Sequence, residues 1–92
     1  MNEAERLKDF VGCEVVIDTD SPYIHVGKLV SVDDCFYELE VADVHDTTAT
    51  TSTRDVYIIN VQKYGVKKNR ERVLIRTSRV VSISRTDEVT AY

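Results

Sequence analysis

Short runs of strand-forming residues, each followed by turn formers, limit the folds open to this chain more than any other feature. After Gly12 the apolar residues alternate or cluster, and Asp, Ser, Pro and Gly separate one run from the next. Ahead of Gly12 they recur at three- and four-residue intervals, which predicts a short amphipathic helix over about residues 3–11. We therefore predict an all-β fold with one short N-terminal α-helix. The predicted strands are 14–18, 23–32, 36–45, 56–64, 73–76 and 80–84.

The second predicted strand contains Gly27. A glycine inside a strand usually marks a bend, a bulge or the close approach of another backbone. The one proline of the chain, Pro22, falls in a turn and interrupts no predicted strand. Six short strands with a bend predict a small, strongly bent antiparallel barrel. A monomeric barrel of the oligonucleotide-binding or SH3-like type is an alternative that the strand count also permits.

A long segment, about residues 46–70, separates the third strand from the last two. Its first part, residues 46–53, is rich in Thr and Ser and predicts a loop. Its second part, residues 55–64, is rich in strand formers and predicts an inserted β-hairpin arm. This arm either binds a partner or only adds buried surface, and the sequence leaves both open.

The chain has 92 residues, which predicts a single domain, residues 1–92. A chain this short buries only about 60% of the surface that its unfolded form exposes, so self-association would supplement its stability. No apolar run approaches the roughly 20 residues that span a bilayer, and no membrane association is expected.

The potential metal ligands are scattered. Cys13 and Cys35 lie singly in apolar stretches, which favours reduced thiols and a cytoplasmic location. Together with His25 and His45 they lack the close pair spacings of structural zinc sites. Neither a metal nor another cofactor is expected.

Charge is unevenly distributed along the chain. The formal net charge is −4, yet residues 62–85 carry eight basic side chains and one acidic. Such a block is either an electrostatic footprint for phosphates or a solvated face that attracts the acidic half of a neighbouring subunit. Charge alone favours neither. The basic residues are Lys63, Lys67, Lys68, Arg70, Arg72, Arg76, Arg79 and Arg85.

Two sequence motifs carry a family resemblance. The first comprises the stretches VGCEVVID and GKLVSVDD, and the second is VLIRTSRVVSI, residues 73–83. In this order and separation they resemble the Sm/LSm family of ring-forming RNA-binding proteins, as a divergent bacterial or phage-type member. The resemblance covers about residues 4–45 and 70–85. The matching positions of the first motif are Gly12, Val16, Gly27, Leu29, Val32 and Asp33.

The resemblance implies a highly curved, five-stranded sheet whose fourth strand pairs with the fifth strand of the next subunit. The predicted strands 73–76 and 80–84 are short and apolar, and an unpaired apolar edge strand invites aggregation. Closure of a head-to-tail ring pairs every such edge. We therefore expect a homo-oligomeric ring of five to seven subunits.

The resemblance also implies a site for single-stranded RNA at the inner rim of the ring. By position, Asp33, Cys35 and Tyr37 would contribute from one loop, and Arg76, Thr77 and Ser78 from another. Three positions depart from the family pattern, which usually has an aromatic or histidine residue at Cys35, an asparagine at Tyr37 and a glycine at Thr77. Phosphate contacts are expected from the basic residues Lys63, Lys67, Lys68 and Arg70.

Two functions remain open at this point. One is an RNA-binding ring with Arg76 at its pore; the other is a structural or protein-interaction ring that keeps the scaffold without the RNA pocket. Arg76 would then form an ion pair between subunits with Asp33 or Asp34. An enzyme is not expected, because the chain has no nucleophile elbow, no HExxH motif and no phosphate-binding glycine loop.

Overall fold

The computed structural model describes residues 3–48 and 54–90, whose strands form one five-stranded antiparallel sheet. The strand order is β4-β3-β2-β1-β5. The predicted all-β class with a short N-terminal helix is confirmed, and the strand number is the five implied by the family resemblance, not six. The elements are α1 (Glu3–Leu7), β1 (Glu14–Thr19), β2 (Tyr23–Val32), β3 (Phe36–Asp46), α2 (Arg54–Tyr64), β4 (Arg70–Arg76) and β5 (Val80–Arg85), with 3-10 turns at Lys8–Phe10, Thr77–Arg79 and Thr86–Glu88.

The sheet bends at Gly27, as the sequence predicts. A Cβ atom on this residue would lie 3.0 Å from the carbonyl oxygen of Glu40 and 3.1 Å from the Cα of Ala42. The β2–β3 register shifts at the same point, and Val41 takes a positive φ of 50°. Because of this bulge, Val41 is 52% exposed while Ala42 is buried, so the alternation of side chains along β3 is interrupted after Glu40.

One face of the sheet packs against the N-terminal helix. Leu7 and Phe10 contact the core there, and Gly12, at φ 90°, turns the chain into β1 while its amide donates to the carbonyl of Leu29 at 2.7 Å. The α-helix itself ends at Leu7 and a 3-10 turn follows it to Phe10, so the regular helix is shorter than the predicted 3–11. The buried residues of this first core cluster are Val15, Ile17, Leu29, Tyr37, Leu39, Ala42 and Ile75.

The opposite face of the sheet is covered by α2, and this corrects the prediction of an inserted β-hairpin arm. Residues 55–64 form most of this helix and no strand. Val61 is 5% exposed and packs into a second core cluster, with Tyr57 and Ile58 packed alongside. The sheet residues of this cluster are Val16, Ile24 and Val26.

The physical reason for the correction is tertiary. Several residues of 55–64 are β-branched or aromatic and favour a strand locally, but propensity is a weak prior that burial routinely overrides. Tyr57 and Val61, four residues apart, share one face of a helix and cover the apolar face that Val16 leaves open. Gly65, at φ 85°, ends the helix, and its amide donates to the carbonyl of Val61 at 2.8 Å.

The two edges of the sheet are β4 and β5. Within the described residues, neither strand has a partner on its outer side. Each edge strand also exposes an aliphatic side chain: Leu74 is 51% exposed and Val81 is 69% exposed. In the described part of the chain, each edge of the sheet is therefore an unpaired strand that exposes one aliphatic side chain.

Candidate nucleic-acid interface

The turn between β2 and β3 is organised by Asp33. Its Oδ1 accepts hydrogen bonds from the backbone amides of Cys35 and Phe36, both at 2.7 Å, and its own amide donates to the carbonyl of Phe36 at 3.0 Å. This is an Asp-centred turn, in which a short carboxylate replaces a backbone acceptor. The two amides, that of Phe36 first, lower the pKa of Asp33 below its ordinary value. The carboxylate is therefore charged at neutral pH.

The turn between β4 and β5 is fastened to this first turn by Thr77. Its amide donates to the carbonyl of Cys35 at 2.8 Å, and its hydroxyl donates to the carbonyl of Asp34 at 2.9 Å. A glycine here could make only the first of these bonds. The threonine that departs from the family pattern thus connects the two turns, residues 33–35 and 77–79, which we call the joined turns. At this end of the sheet the structure brings together Asp33, Cys35, Arg76, Thr77 and Ser78.

Phe36 and Arg76 form a cross-strand pair next to the joined turns. They are direct partners in the β3–β4 register, and the guanidinium carbon of Arg76 lies 5.8 Å from the centre of the Phe36 ring. This is a cation–π distance. Phe36 is half-buried and Arg76 is exposed, so an apolar ring and a planar cation stand together at the joined turns.

Sequence reasoning missed Phe36. Carrying the family pattern over by position placed Cys35 and Tyr37 at the stacking and base-reading positions and passed over the residue between them. The signal was nevertheless present in the sequence: Tyr37 and Leu39 are apolar residues two positions apart, and side chains alternate along a strand. Phe36 must therefore face the other way.

Tyr37 lies in the core. Its side chain is 7% exposed and belongs to the first core cluster, against the N-terminal helix. Only a small part of this side chain is open, in the wall of a cleft beside α1, which does not suit base stacking. Cys35 is exposed, but a thiol offers no aromatic face either.

A cleft of about 630 Å³ adjoins the joined turns. It runs from the turn residues toward α1 on one side and β5 on the other. Arg6 contributes a positive charge to its wall, while Phe10 and the exposed Val81 contribute apolar surface. The turn residues that line it include Asp33, Asp34, Thr77 and Ser78.

The residues predicted to contact phosphates lie at the opposite end of β4. Arg70 is the first residue of this strand and Arg76 the last, and six residues of strand span about 20 Å. Lys68 is paired with Glu71 at 2.6 Å. Lys63 and Lys67 are exposed beside the C-terminal end of α2. The structure therefore separates the two predicted sets of RNA contacts instead of joining them.

Two features are absent from the residues that the structure describes. Within 3–48 and 54–90, no three His, Cys, Asp or Glu side chains are grouped as a metal ion would require. No helix in the same ranges is long and apolar enough to cross a membrane.

Comparison with known proteins by sequence gives no match: no family model and no curated protein matches this chain. Comparison of structures does. The chain is similar to an Sm protein of Pyrococcus abyssii solved in complex with a uridine heptamer, with a TM-score of 0.62 and 16% identity over 92% of this chain and 99% of that chain. It is also similar to an Sm-like protein of Archaeoglobus fulgidus, with a TM-score of 0.62 and 18% identity over 92% and 95% of the two chains.

A third similarity is to a chain in the structure of the NatC complex bound to CoA. The TM-score is 0.55 and the identity 22%, over 84% of this chain and 79% of that chain. The resemblance that the sequence motifs indicated is thus confirmed at the level of the fold. This chain has the fold of the Sm/LSm proteins.

Proposed function

We propose that this chain, residues 1–92, is the subunit of a closed homo-oligomeric ring that binds single-stranded RNA at the joined turns. The observation that carries the proposal is the Phe36–Arg76 pair. An exposed guanidinium beside an aromatic ring can hold a base by stacking and a phosphate by charge. Both chemistries are sequence-tolerant, which suits single strands.

The edges of the sheet support the ring. If β4 of one subunit pairs with β5 of the next, the exposed Leu74 and Val81 become buried and both open edges are satisfied. Each ring of five to seven subunits would then repeat the Phe36–Arg76 pair around its rim. Repetition converts one weak stacking contact into a tight overall affinity.

The mass of the protein in solution tests the ring. We expect light scattering on a sizing column to give a single species of five to seven subunits. Val81→Lys places a charge on the outer side of β5 and is expected to shift the mass toward the monomer. Val56→Lys, at another half-exposed valine on α2, is the matched control and is expected to leave the mass unchanged. A wild-type monomer would contradict the ring.

RNA binding is tested by fluorescence anisotropy with labelled oligouridylate and oligoadenylate. Stacking contributes about 1–3 kcal/mol per base, so Phe36→Ala and Arg76→Ala are each expected to weaken binding at least about fivefold. Arg72→Ala removes the same charge from the same face of β4, where Arg72 lies opposite Glu40, and is the control. Binding by the wild type should also weaken steeply with salt. Equal effects of Arg72→Ala and Arg76→Ala would contradict a specific site.

A second candidate function is a ring or subunit that binds protein. The similarity to a chain of the NatC complex favours it, because that chain stands within a protein assembly. The absence of an aromatic residue at Cys35 points the same way. A wild-type ring of the expected mass that binds neither oligonucleotide at low salt would favour this candidate over the first.

A further inference from the structure

A second groove lies on the other side of the molecule, between the C-terminal half of α2 and the segment that leads into β4. Its volume is about 320 Å³. We call it the α2 groove. It lies beside the residues that precede Arg70, and therefore about 20 Å from the Phe36–Arg76 pair, at the opposite end of β4. The residues that line it are Asp43, Tyr57, Asn60, Val61, Tyr64, Gly65 and Lys67.

The floor of the α2 groove is fixed in place. The Tyr57 hydroxyl donates to Asp43 Oδ2, and the Tyr57 ring stacks on His45 with their centres 4.0 Å apart and their planes 8° apart. The other oxygen of the same carboxylate, Asp43 Oδ1, accepts a hydrogen bond from Asn69 Nδ2 at 2.7 Å. Both oxygens of Asp43 are thus engaged as hydrogen-bond acceptors within the protein. A preformed floor lowers the entropic cost of binding a ligand.

The wall of the groove carries an exposed aromatic ring. Tyr64, the last residue of α2, is 81% exposed, well beyond the half-exposed Val56 on the same helix. Asn60 lies four residues earlier and therefore on the same helix face. Its amide offers both donors and an acceptor. Tyr64 thus presents a flat surface, and Asn60 presents hydrogen-bonding groups beside it.

Two lysines lie near this wall, and one of them, Lys67, lines the groove. Lys63 and Lys67 are exposed on either side of Tyr64 in sequence, whereas Lys68 is engaged by Glu71. Neither Lys63 nor Lys67 forms an ion pair with another residue that the structure describes. A flat ring, an amide and ammonium groups match the three parts of a nucleotide: the face of its base, the edge of its base and its phosphate. An acidic peptide would satisfy the lysines but would leave the exposed ring and the amide without a specific purpose.

We propose that the α2 groove is a second binding subsite for single-stranded RNA, supplied by the helix that stands between β3 and β4. One base stacks on Tyr64, Asn60 contacts the edge of that base, and Lys67 contacts the adjacent phosphate. This inference rests on the proposed function only in that both sites would bind single-stranded RNA. It accounts for a set of cations that lies too far from Phe36 and Arg76 to serve the same nucleotide.

The test measures binding of oligouridylate and oligoadenylate of about 15 nucleotides, near the upper end of the site sizes of single-strand-binding domains. Tyr64→Ala is expected to weaken binding about tenfold, and Tyr64→Phe, which keeps the ring, to stay within about twofold of the wild type. Lys67→Ala is expected to reduce the slope of log affinity against log salt by about 0.7 per subunit engaged, whereas Lys68→Ala leaves the slope nearly unchanged. Circular dichroism of each variant verifies that α2 is retained.

The outcomes separate this inference from the proposed function. Loss of affinity in Phe36→Ala together with wild-type affinity in Tyr64→Ala would overturn the α2 subsite and leave the joined-turn site standing. Loss of affinity in Tyr64→Ala together with wild-type affinity in Phe36→Ala would overturn the joined-turn site and leave the α2 subsite standing. If Tyr64→Ala and Tyr64→Phe weaken binding equally, stacking is not the interaction and the subsite is overturned. Binding of an acidic peptide but not of either oligonucleotide would overturn it as well.

Discussion

The hydroxyl of Tyr57 donates a hydrogen bond to the Asp43 carboxylate across the contact between α2 and β3. The same carboxylate accepts the side-chain amide of Asn69, from the segment just before β4. One acidic side chain in β3 therefore holds both the helix and the start of the next strand. This polar contact sits at the margin of the second core cluster, where Val61 supplies the apolar part of the same docking.

Removal of the Tyr57 hydroxyl is expected to destabilise the fold. Tyr57→Phe keeps the ring and its stacking on His45 but deletes a hydrogen bond to a charged group, which is worth about 1.5–3 kcal/mol. Urea denaturation measures the change. A Tyr23→Phe variant, at a half-exposed tyrosine of β2, is the control and is expected to change stability little. An equal effect of the two substitutions would contradict the role given to the Tyr57–Asp43 bond.

The same bond predicts a loss of stability at alkaline pH. Burial first, and then the Asp43 carboxylate, raise the pKa of Tyr57 above its ordinary value. The folded state therefore favours the neutral phenol, and this contribution is complete below the ordinary tyrosine pKa of about 10 and is lost as the pH rises beyond it. Stability measured from pH 8 to about pH 11 should fall more steeply in the wild type than in Tyr57→Phe. If stability falls with pH equally in the two proteins, a group other than Tyr57 controls the loss of stability at alkaline pH.

The hydrogen bonds of the Asp33 turn predict that the stability of the folded state decreases in acid. Hydrogen bonds from the Phe36 and Cys35 amides lower the pKa of Asp33, so the folded state favours the carboxylate. Its contribution is present above the ordinary aspartate pKa of about 4 and is lost as the pH falls through the lowered value. Hydrogen exchange at the two amides is expected to accelerate in Asp33→Ala. Asp33→Asn retains an oxygen acceptor and is expected to preserve most of the protection at neutral pH.

Substitution of Gly27 is expected to disturb the bulge. In Gly27→Ala the new methyl group would meet the Glu40 carbonyl at 3.0 Å and the Ala42 Cα at 3.1 Å, both backbone atoms that cannot rotate away. Overpacking of this kind costs about 1–3 kcal/mol. Lys28→Ala, at the exposed neighbouring position, is the control, and thermal denaturation compares the two. Wild-type stability in Gly27→Ala would contradict the close approach of β3 at this point.

The docking of α2 predicts a difference between two valines of that helix. Val61 is 5% exposed and Val56 is 46% exposed. Val61→Ala removes two buried methyl groups, which costs about 1.6 kcal/mol before any cavity is counted. Val56→Ala changes the same side chain, and with it the same helix propensity, at a position that is half outside the core. Equal stabilities of the two variants in urea would show that α2 does not pack on the sheet in solution.

The N-terminal helix, the five strands of the sheet, the bend at Gly27 and the turn at residues 33–35 could all be predicted from the sequence. Each depends on the conformation of a few neighbouring residues, and glycine or aspartate at such a position restricts the local alternatives strongly. The all-β class could be predicted for a similar reason, because alternation over a short run of residues determines which side chains share a face of the sheet. The two Sm-like motifs lie within these locally determined segments.

Helix α2 and the Phe36–Arg76 pair were decided only by the tertiary structure. Residues 55–64 favour a strand when taken alone, and they become a helix because Val16 and its neighbours leave an apolar face that Tyr57 and Val61 can cover. Phe36 and Arg76 are far apart in sequence and meet only through the β3–β4 register. The sequence by itself determined where the chain bends and turns, since those preferences are local. The tertiary structure decides which faces are covered and which side chains meet. These outcomes depend on the free energy of contacts between segments that are distant in sequence, and a local pattern does not contain that information.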